Sequence, residues 1–127
     1  MKKIISTDNA PKAVGPYSQA VWTNDLLFIS GQIPIDPETG KFVSEDIKEQ
    51  TKQVFKNLGA ILTEAGLDYE NIVKATVYLT DMNDFAIMNE VYATYFDKDF
   101  PARAAFQVVK LPLGAKVEIE AIAVREI

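Results

Sequence analysis

The closing stretch of this chain, Val117-Glu118-Ile119-Glu120-Ala121-Ile122-Ala123, changes character at nearly every residue. In an extended chain Val117, Ile119, Ala121 and Ala123 fall on one face, and Glu118, Glu120, Ile122 and Val124 on the other. The pattern predicts a strand from Lys116 to Arg125 with apolar groups on both faces. Further β-prone runs are Lys3 to Ser6, Gln19 to Trp22, Leu26 to Ser30, Asn71 to Thr80 and Arg103 to Lys110. Gln19–Trp22 and Leu26–Ser30 join at Asn24-Asp25 and read as a hairpin, with Gly31 ending its second strand. Leu111-Pro112-Leu113-Gly114 separates the last two strands.

Two segments have helical spacing instead. Ile47, Val54, Leu58, Ile61 and Ala65 share one helix face; Ser44 is placed as the N-cap, Glu45 and Asp46 in the first turn, and Gly66 as a left-handed cap. A second helix is predicted from Asp84 to Phe96, its Phe85, Met88, Tyr92, Tyr95 and Phe96 packing into the core. Pro101 punctuates its end. The proline- and glycine-bearing segments Pro11 to Tyr17 and Ile33 to Gly40 read as an irregular loop and an extended, turn-rich stretch.

The order β-β-β-α-β-α-β-β points to one α+β domain over residues 1–127, with both helices on one face of a mixed sheet. The opposite face also carries apolar residues, and a chain of this length has no second layer to cover it. Association through the sheet is expected, hence a homo-oligomer.

Composition narrows the chemistry. Hydrophobic residues make up 48% and charged residues 24%, as in soluble globular proteins. Thirteen Lys and Arg against eighteen Asp and Glu give a net charge of −5, and the basic residues are scattered singly, which disfavours nucleic acid as a partner. Without cysteine there is no disulfide or thiolate site; without histidine the usual near-neutral base and the commonest metal ligand are missing. No metal is therefore expected. After Met1-Lys2-Lys3 only Ile4 and Ile5 precede polar sequence, so no signal peptide is read, and no run is long enough to cross a membrane. A cytoplasmic location is the expectation.

Catalysis then falls to carboxylates, Arg, Lys, Tyr, hydroxyls or backbone groups. Arg103, in Pro101-Ala102-Arg103-Ala104-Ala105-Phe106, puts a planar fork of donors among small and apolar neighbours, a fork suited to carboxylate or phosphate. An internal ion pair with Asp or Glu, or a charged residue snorkelling at a sheet edge, would explain the same residue. Glu118 and Glu120 share a strand face, where one carboxyl of a pair can be held protonated and poised for proton transfer; two solvent-facing charges are the plainer reading. Gly15-Pro16-Tyr17-Ser18 and Ser30-Gly31-Gln32 are loop-forming segments where backbone N–H groups can approach a ligand and Tyr17 can offer its hydroxyl. Asn89 lies among apolar neighbours on the second helix.

Taken together these residues resemble the reactive intermediate imine/enamine deaminase family, also called the YjgF or RidA family. The likeness runs through Asn9-Ala10-Pro11, Gly15-Pro16-Tyr17-Ser18-Gln19, Ser30-Gly31-Gln32-Ile33-Pro34 and Lys74-Ala75-Thr76-Val77-Tyr78-Leu79. It continues in Asn83-Asp84-Phe85, Met88-Asn89-Glu90, Pro101-Ala102-Arg103 and Val117 to Ala123. The resemblance implies a chorismate-mutase-like fold, a homotrimer with a barrel-like sheet core, and sites between subunits. It implies hydrolysis of 2-iminobutanoate and 2-iminopropanoate to 2-keto acids and ammonia without a cofactor. Such imines arise from pyridoxal-phosphate enzymes acting on serine or threonine, and removing them spares other such enzymes from 2-aminoacrylate. By the same resemblance Arg103 grips the substrate carboxylate, Glu118 activates water, Tyr17 lines the pocket, the backbones of Gly31 and Ala105 bind substrate, and Asn89 shapes the site.

Two positions depart from the family pattern. Ala105 stands where several members have a cysteine, so a role for that thiol is lost; Val109 fills a place often small or basic. Two other functions stay open at this point. One is a non-catalytic small-carboxylate regulator, against which the pairing of Arg103 with Glu118 speaks. The other is RNA cleavage of the kind attributed to relatives, against which the negative charge and missing histidine count.

Overall fold

The computed structural model describes residues 2–126. Its elements run β1 (Lys2–Ile5), β2 (Ala20–Thr23), β3 (Leu26–Gln32), β4 (Ile35–Asp36), β5 (Lys41–Phe42), α1 (Ile47–Glu64), β6 (Ile72–Leu79), α2 (Phe85–Ala93), β7 (Ala102–Gln107) and β8 (Val117–Val124). Six strands form one sheet in the order β1-β2-β3-β8-β6-β7. All neighbours are antiparallel except β6 and β7. A parallel pair needs a crossover, and the segment containing α2 supplies it. This is the α+β arrangement the alternation predicts.

β8 lies at the centre and carries the logic of the fold. Val117, Ile119, Ala121 and Ala123 are all buried, packed in one cluster with Leu27 and Ile29 of β3, Val77 and Leu79 of β6, and Val54, Leu58, Ile61 and Leu62 of α1. On the opposite face Ile122 and Val124 are only half-buried, and their register partners Phe28 and Leu26 are exposed, as is Ile4. An apolar face is thus left uncovered by the chain itself. Among the described residues no helix is long and apolar enough to cross a membrane.

Several local details differ from the sequence expectation. The N-cap of α1 is Asp46, not Ser44. Its carboxylate accepts from the Glu49 N–H at 3.1 Å, while the Ser44 hydroxyl accepts from the Asp46 N–H at 2.9 Å and folds the approach. The cap falls two residues later than expected, on the residue directly before the first apolar helical position. There its negative charge also meets the positive end of the helix dipole. Gly66 does close the helix, with φ +79°: its N–H donates to Thr63 O, and that of Leu67 to Leu62 O.

The second helix stops at Ala93 rather than Phe96. The Thr94 hydroxyl donates back to Val91 O at 2.6 Å, a side-chain bond that competes with further helix. Tyr95 and Phe96 still join the core beyond the helix, Tyr95 stacked on Phe55 with centroids 4.3 Å apart. Gly31 does not end β3; the strand continues to Gln32 through a register irregularity between Ile29 and Gln32. β7 ends at Gln107 and not Lys110, and the turn-rich segment after Ile33 contributes β4, which pairs with β5 in a small separate hairpin.

Replacing Asp46 with Ala should lower unfolding free energy by about 1 kcal/mol, and Ser44→Ala by less, as read by urea denaturation. The reverse order would restore Ser44 as the cap.

Candidate active site

Gln19 builds one wall of the site. Its buried amide accepts from the Thr7 N–H at 2.7 Å and donates to the carbonyls of Thr7, Ala10 and Pro11 at 3.0, 3.3 and 2.8 Å. One side chain thereby ties the 7–11 segment, which has no strand or helix of its own, to the start of β2. The Ser30 hydroxyl donates to Ser18 O at 2.6 Å and fixes the far end of the same loop. Between these anchors Tyr17 stands half-exposed at the edge of a cleft of about 930 Å³.

Glu118 and Gly31 line the same cleft. Glu118 projects from the open face of β8 and lies directly over Gly31, where a β-carbon would collide with its carboxylate. A side chain at this position would displace the Glu118 carboxylate, so glycine leaves room for it where it stands. Burial raises the Glu118 carboxyl above its usual range, and the Glu120 carboxylate two residues on raises it further. Glu120 also lines the cleft and accepts from the Tyr78 hydroxyl at 2.9 Å.

Arg103 lies elsewhere. Register pairs it with Ala75 on β6, which pairs in turn with Ala121 on β8, both buried beneath the helices. Glu118 pairs with Tyr78 on the opposite face. Within one chain the guanidinium and the raised carboxyl therefore stand on opposite faces of the sheet. Nη1 of Arg103 donates to Asn89 Oδ1 at 2.7 Å. The guanidinium carbon sits 4.8 Å from the Tyr92 ring centroid and 5.4 Å from that of Phe85, cation–π distances. Burial raises the Tyr92 phenol, with Arg103 acting in the opposite direction. Ala105, two residues on, shares this face and packs on the core.

Among the described residues ion pairs join Lys52 to Glu49 and Arg125 to Asp25, and Arg103 pairs with no carboxylate. The internal ion pair that would have explained Arg103 structurally is absent from these contacts. Its side chain is exposed, spending one N–H on Asn89 and leaving the rest of the fork for an anion.

The expected residues thus gather into two groups: Tyr17, Gly31 and Glu118 in the cleft, and Arg103, Asn89 and Ala105 on the helix-bearing face. Sequence reasoning gave no site role to Gln19, Tyr92 or Phe85: Gln19 heads a strand, and the two rings are read as core. Gln19 is a polar residue at the head of an apolar run, beside a proline-rich loop full of unpaired carbonyls, and that is a signal of an anchoring amide. The aromatic contacts to Arg103 have no comparable signal, since helical spacing marks core and cation shelf alike.

The family model described as Endoribonuclease L-PSP matches residues 7–125. A RutC family protein of Pyrococcus horikoshii is 58% identical, over 99% of this chain and 100% of its own length. A mouse protein named 2-iminobutanoate/2-iminopropanoate deaminase is 55% identical over 98% of this chain and 93% of its own. The crystal structure of E. coli TdcF with bound serine superposes with a TM-score of 0.93 at 47% identity, covering 98% of this chain and 99% of that one.

In a pH titration followed by side-chain carboxyl NMR, Glu118 should titrate above the ordinary Glu range. Glu120→Gln should move its midpoint down without returning it to the ordinary value, because burial, the larger cause, remains. An unmoved midpoint would remove Glu120 from the account.

Proposed function

We propose that this chain, which belongs to the Endoribonuclease L-PSP family, also called the RidA family, hydrolyses short 2-imino acids to 2-keto acids and ammonia. The observation that carries the proposal is Arg103: an exposed guanidinium held by an amide and two rings, with no carboxylate partner among the described residues. That is the arrangement of an anion receptor. A carboxylate received by this fork would be bound bidentately and oriented. The mouse relative's name gives the reaction, and the serine bound by the E. coli relative has the carboxylate and 2-nitrogen of such a substrate's parent amino acid.

The site is completed by a neighbouring copy. Arg103 and Asn89 of one chain meet Glu118, Tyr17 and Gly31 of the next, since one sheet cannot bring both groups to the same side. The uncovered apolar face around Phe28, Ile122 and Val124 supplies the driving force for assembly. A closed trimer, the state the family resemblance implies, gives three equivalent junctions.

In the reaction, Glu118 as carboxylate takes a proton from water while the oxygen attacks the electrophilic imine carbon. The proton passes to nitrogen, the carbon–nitrogen bond of the resulting carbinolamine breaks, and ammonia leaves as the carbonyl forms. Water is the only co-reactant. Because the base must be ionised, turnover falls as pH drops through the raised Glu118 midpoint. Tyr17 borders the pocket, and the backbones of Gly31 and Ala105 offer polar groups to the substrate.

Arg103→Ala and Glu118→Gln should each nearly abolish turnover of 2-iminobutanoate, measured by semicarbazide trapping, while fold and assembly persist. Co-refolding the two inactive variants in equal amounts should restore about a quarter of wild-type activity, the share of intact junctions in randomly mixed trimers. No recovery in demonstrably mixed oligomers would overturn the shared site. A wild-type protein that leaves the trapped yield unchanged would overturn the deaminase itself.

A further inference from the structure

Leu113 is the described residue whose backbone and side chain agree least with its chemistry. It sits in the short turn before β8 with φ +58° and ψ +17°, left-handed values that residues with a β-carbon adopt rarely. Gly114 follows at φ +80°, where glycine suits the conformation; Leu113 has no such freedom. Nor does burial explain it, for the leucine is 77% exposed.

The conformation is imposed from both sides. Gly114 N–H donates to Leu111 O and Ala115 N–H to Pro112 O, each at 3.2 Å. Ala115 is buried, and the Lys116 N–H donates to Oε1 of the buried Gln50 at 2.9 Å. A turn tied down in this way delivers Leu113 to a fixed place, and that place is the cleft holding Glu118. Val14, at 91% exposure the more exposed of the two, lines the same cleft from the loop on its other side in sequence. Ile33, Ile35 and Pro112 continue the apolar lining.

The geometry points to Leu113 and Val14 as specificity-determining residues that receive the aliphatic side chain of the substrate. A pinned backbone conformation that disfavours leucine is the kind of strain that collects at ligand sites. A short acid clamped by its carboxylate and facing Glu118 at its reacting carbon still has its nitrogen and its side chain to place, and the apolar lining is where the side chain gains most from leaving water. The substrate class is accordingly 2-imino acids with aliphatic side chains, 2-iminobutanoate among them, with longer branched or unbranched chains held more tightly. This rests on the deaminase reading both for the reacting carbon and for the carboxylate clamp supplied by Arg103 of a neighbouring copy.

The test compares wild type with Leu113→Asn, since asparagine tolerates positive φ and should leave the turn intact. Isothermal titration with 2-ketobutyrate and with 4-methyl-2-oxopentanoate reads side-chain recognition without turnover. Wild type should bind the larger acid about tenfold more tightly, and Leu113→Asn should cut that preference to about twofold while leaving 2-ketobutyrate affinity nearly unchanged. Val14→Ser, on the separate loop, should reduce the preference in the same direction. An equal ratio in wild type and Leu113→Asn overturns the proposal. So does equal weakening of both acids, or dissociation of the variant oligomer by light scattering, because either would make Leu113 a packing residue. The semicarbazide assay on the same preparations decides the deaminase reading separately: imine turnover with an unchanged acid ratio sinks only the side-chain subsite, and an altered ratio without turnover sinks only the reaction.

Discussion

Strand alternation in β8 is the constraint from which the rest of this molecule follows. Residues two apart share a face, so burying Val117, Ile119, Ala121 and Ala123 under the helices forces Glu118 and Glu120 to the other side. A slip of one residue would drive both carboxylates into the core, at the cost of desolvating charge without a partner. The register is therefore fixed, and with it the place of Glu118 above Gly31. The same alternation, passed through β6 to β7, sends Arg103 the opposite way.

Charge is managed differently on the two faces. Glu118 is kept partly out of water beside a second carboxylate, which favours its protonated form and makes it ready to exchange protons nearer neutrality. Arg103 cannot lose its proton and is not buried; it is steadied by one amide oxygen and by the faces of two rings, which attract a cation without neutralising it. A carboxylate in place of Asn89 would tie up the fork. An amide orients it and leaves the positive charge for a ligand.

Much of this was legible in the residues. Period two in Val117–Val124 and helical spacing from Ile47 to Ala65 marked the central strand and the long helix because each buries one clean face. Gly66 marked the helix end because only a left-handed residue closes it. Arg103, Glu118, Gly31 and Asn89 stood out by chemistry, and by resemblance they belonged together. What the residues alone did not reveal was the division between faces, which depends on which strands pair and on the parity of their register. The end of α2 was hidden for a related reason: Tyr95 and Phe96 keep the apolar rhythm after the hydrogen bonding has stopped. Ser44 and Asp46 are both competent cap residues, so the shift of the cap from one to the other needed backbone geometry. At Gly31 the expected strand end is a bulge that the strand passes through.

The edges of the sheet deserve the same reading as its faces. β1 and β7 are the two outer strands, and exposed backbone at such strands invites another chain to add on. One edge carries Lys2 and Lys3, the other Arg103, so cations guard both margins of an otherwise acidic protein. Repulsion between like edges discourages ribbon-like growth, while the apolar face stays open to contact. Growth by edge-to-edge strand addition is thereby disfavoured, and the apolar face is the surface left for contact.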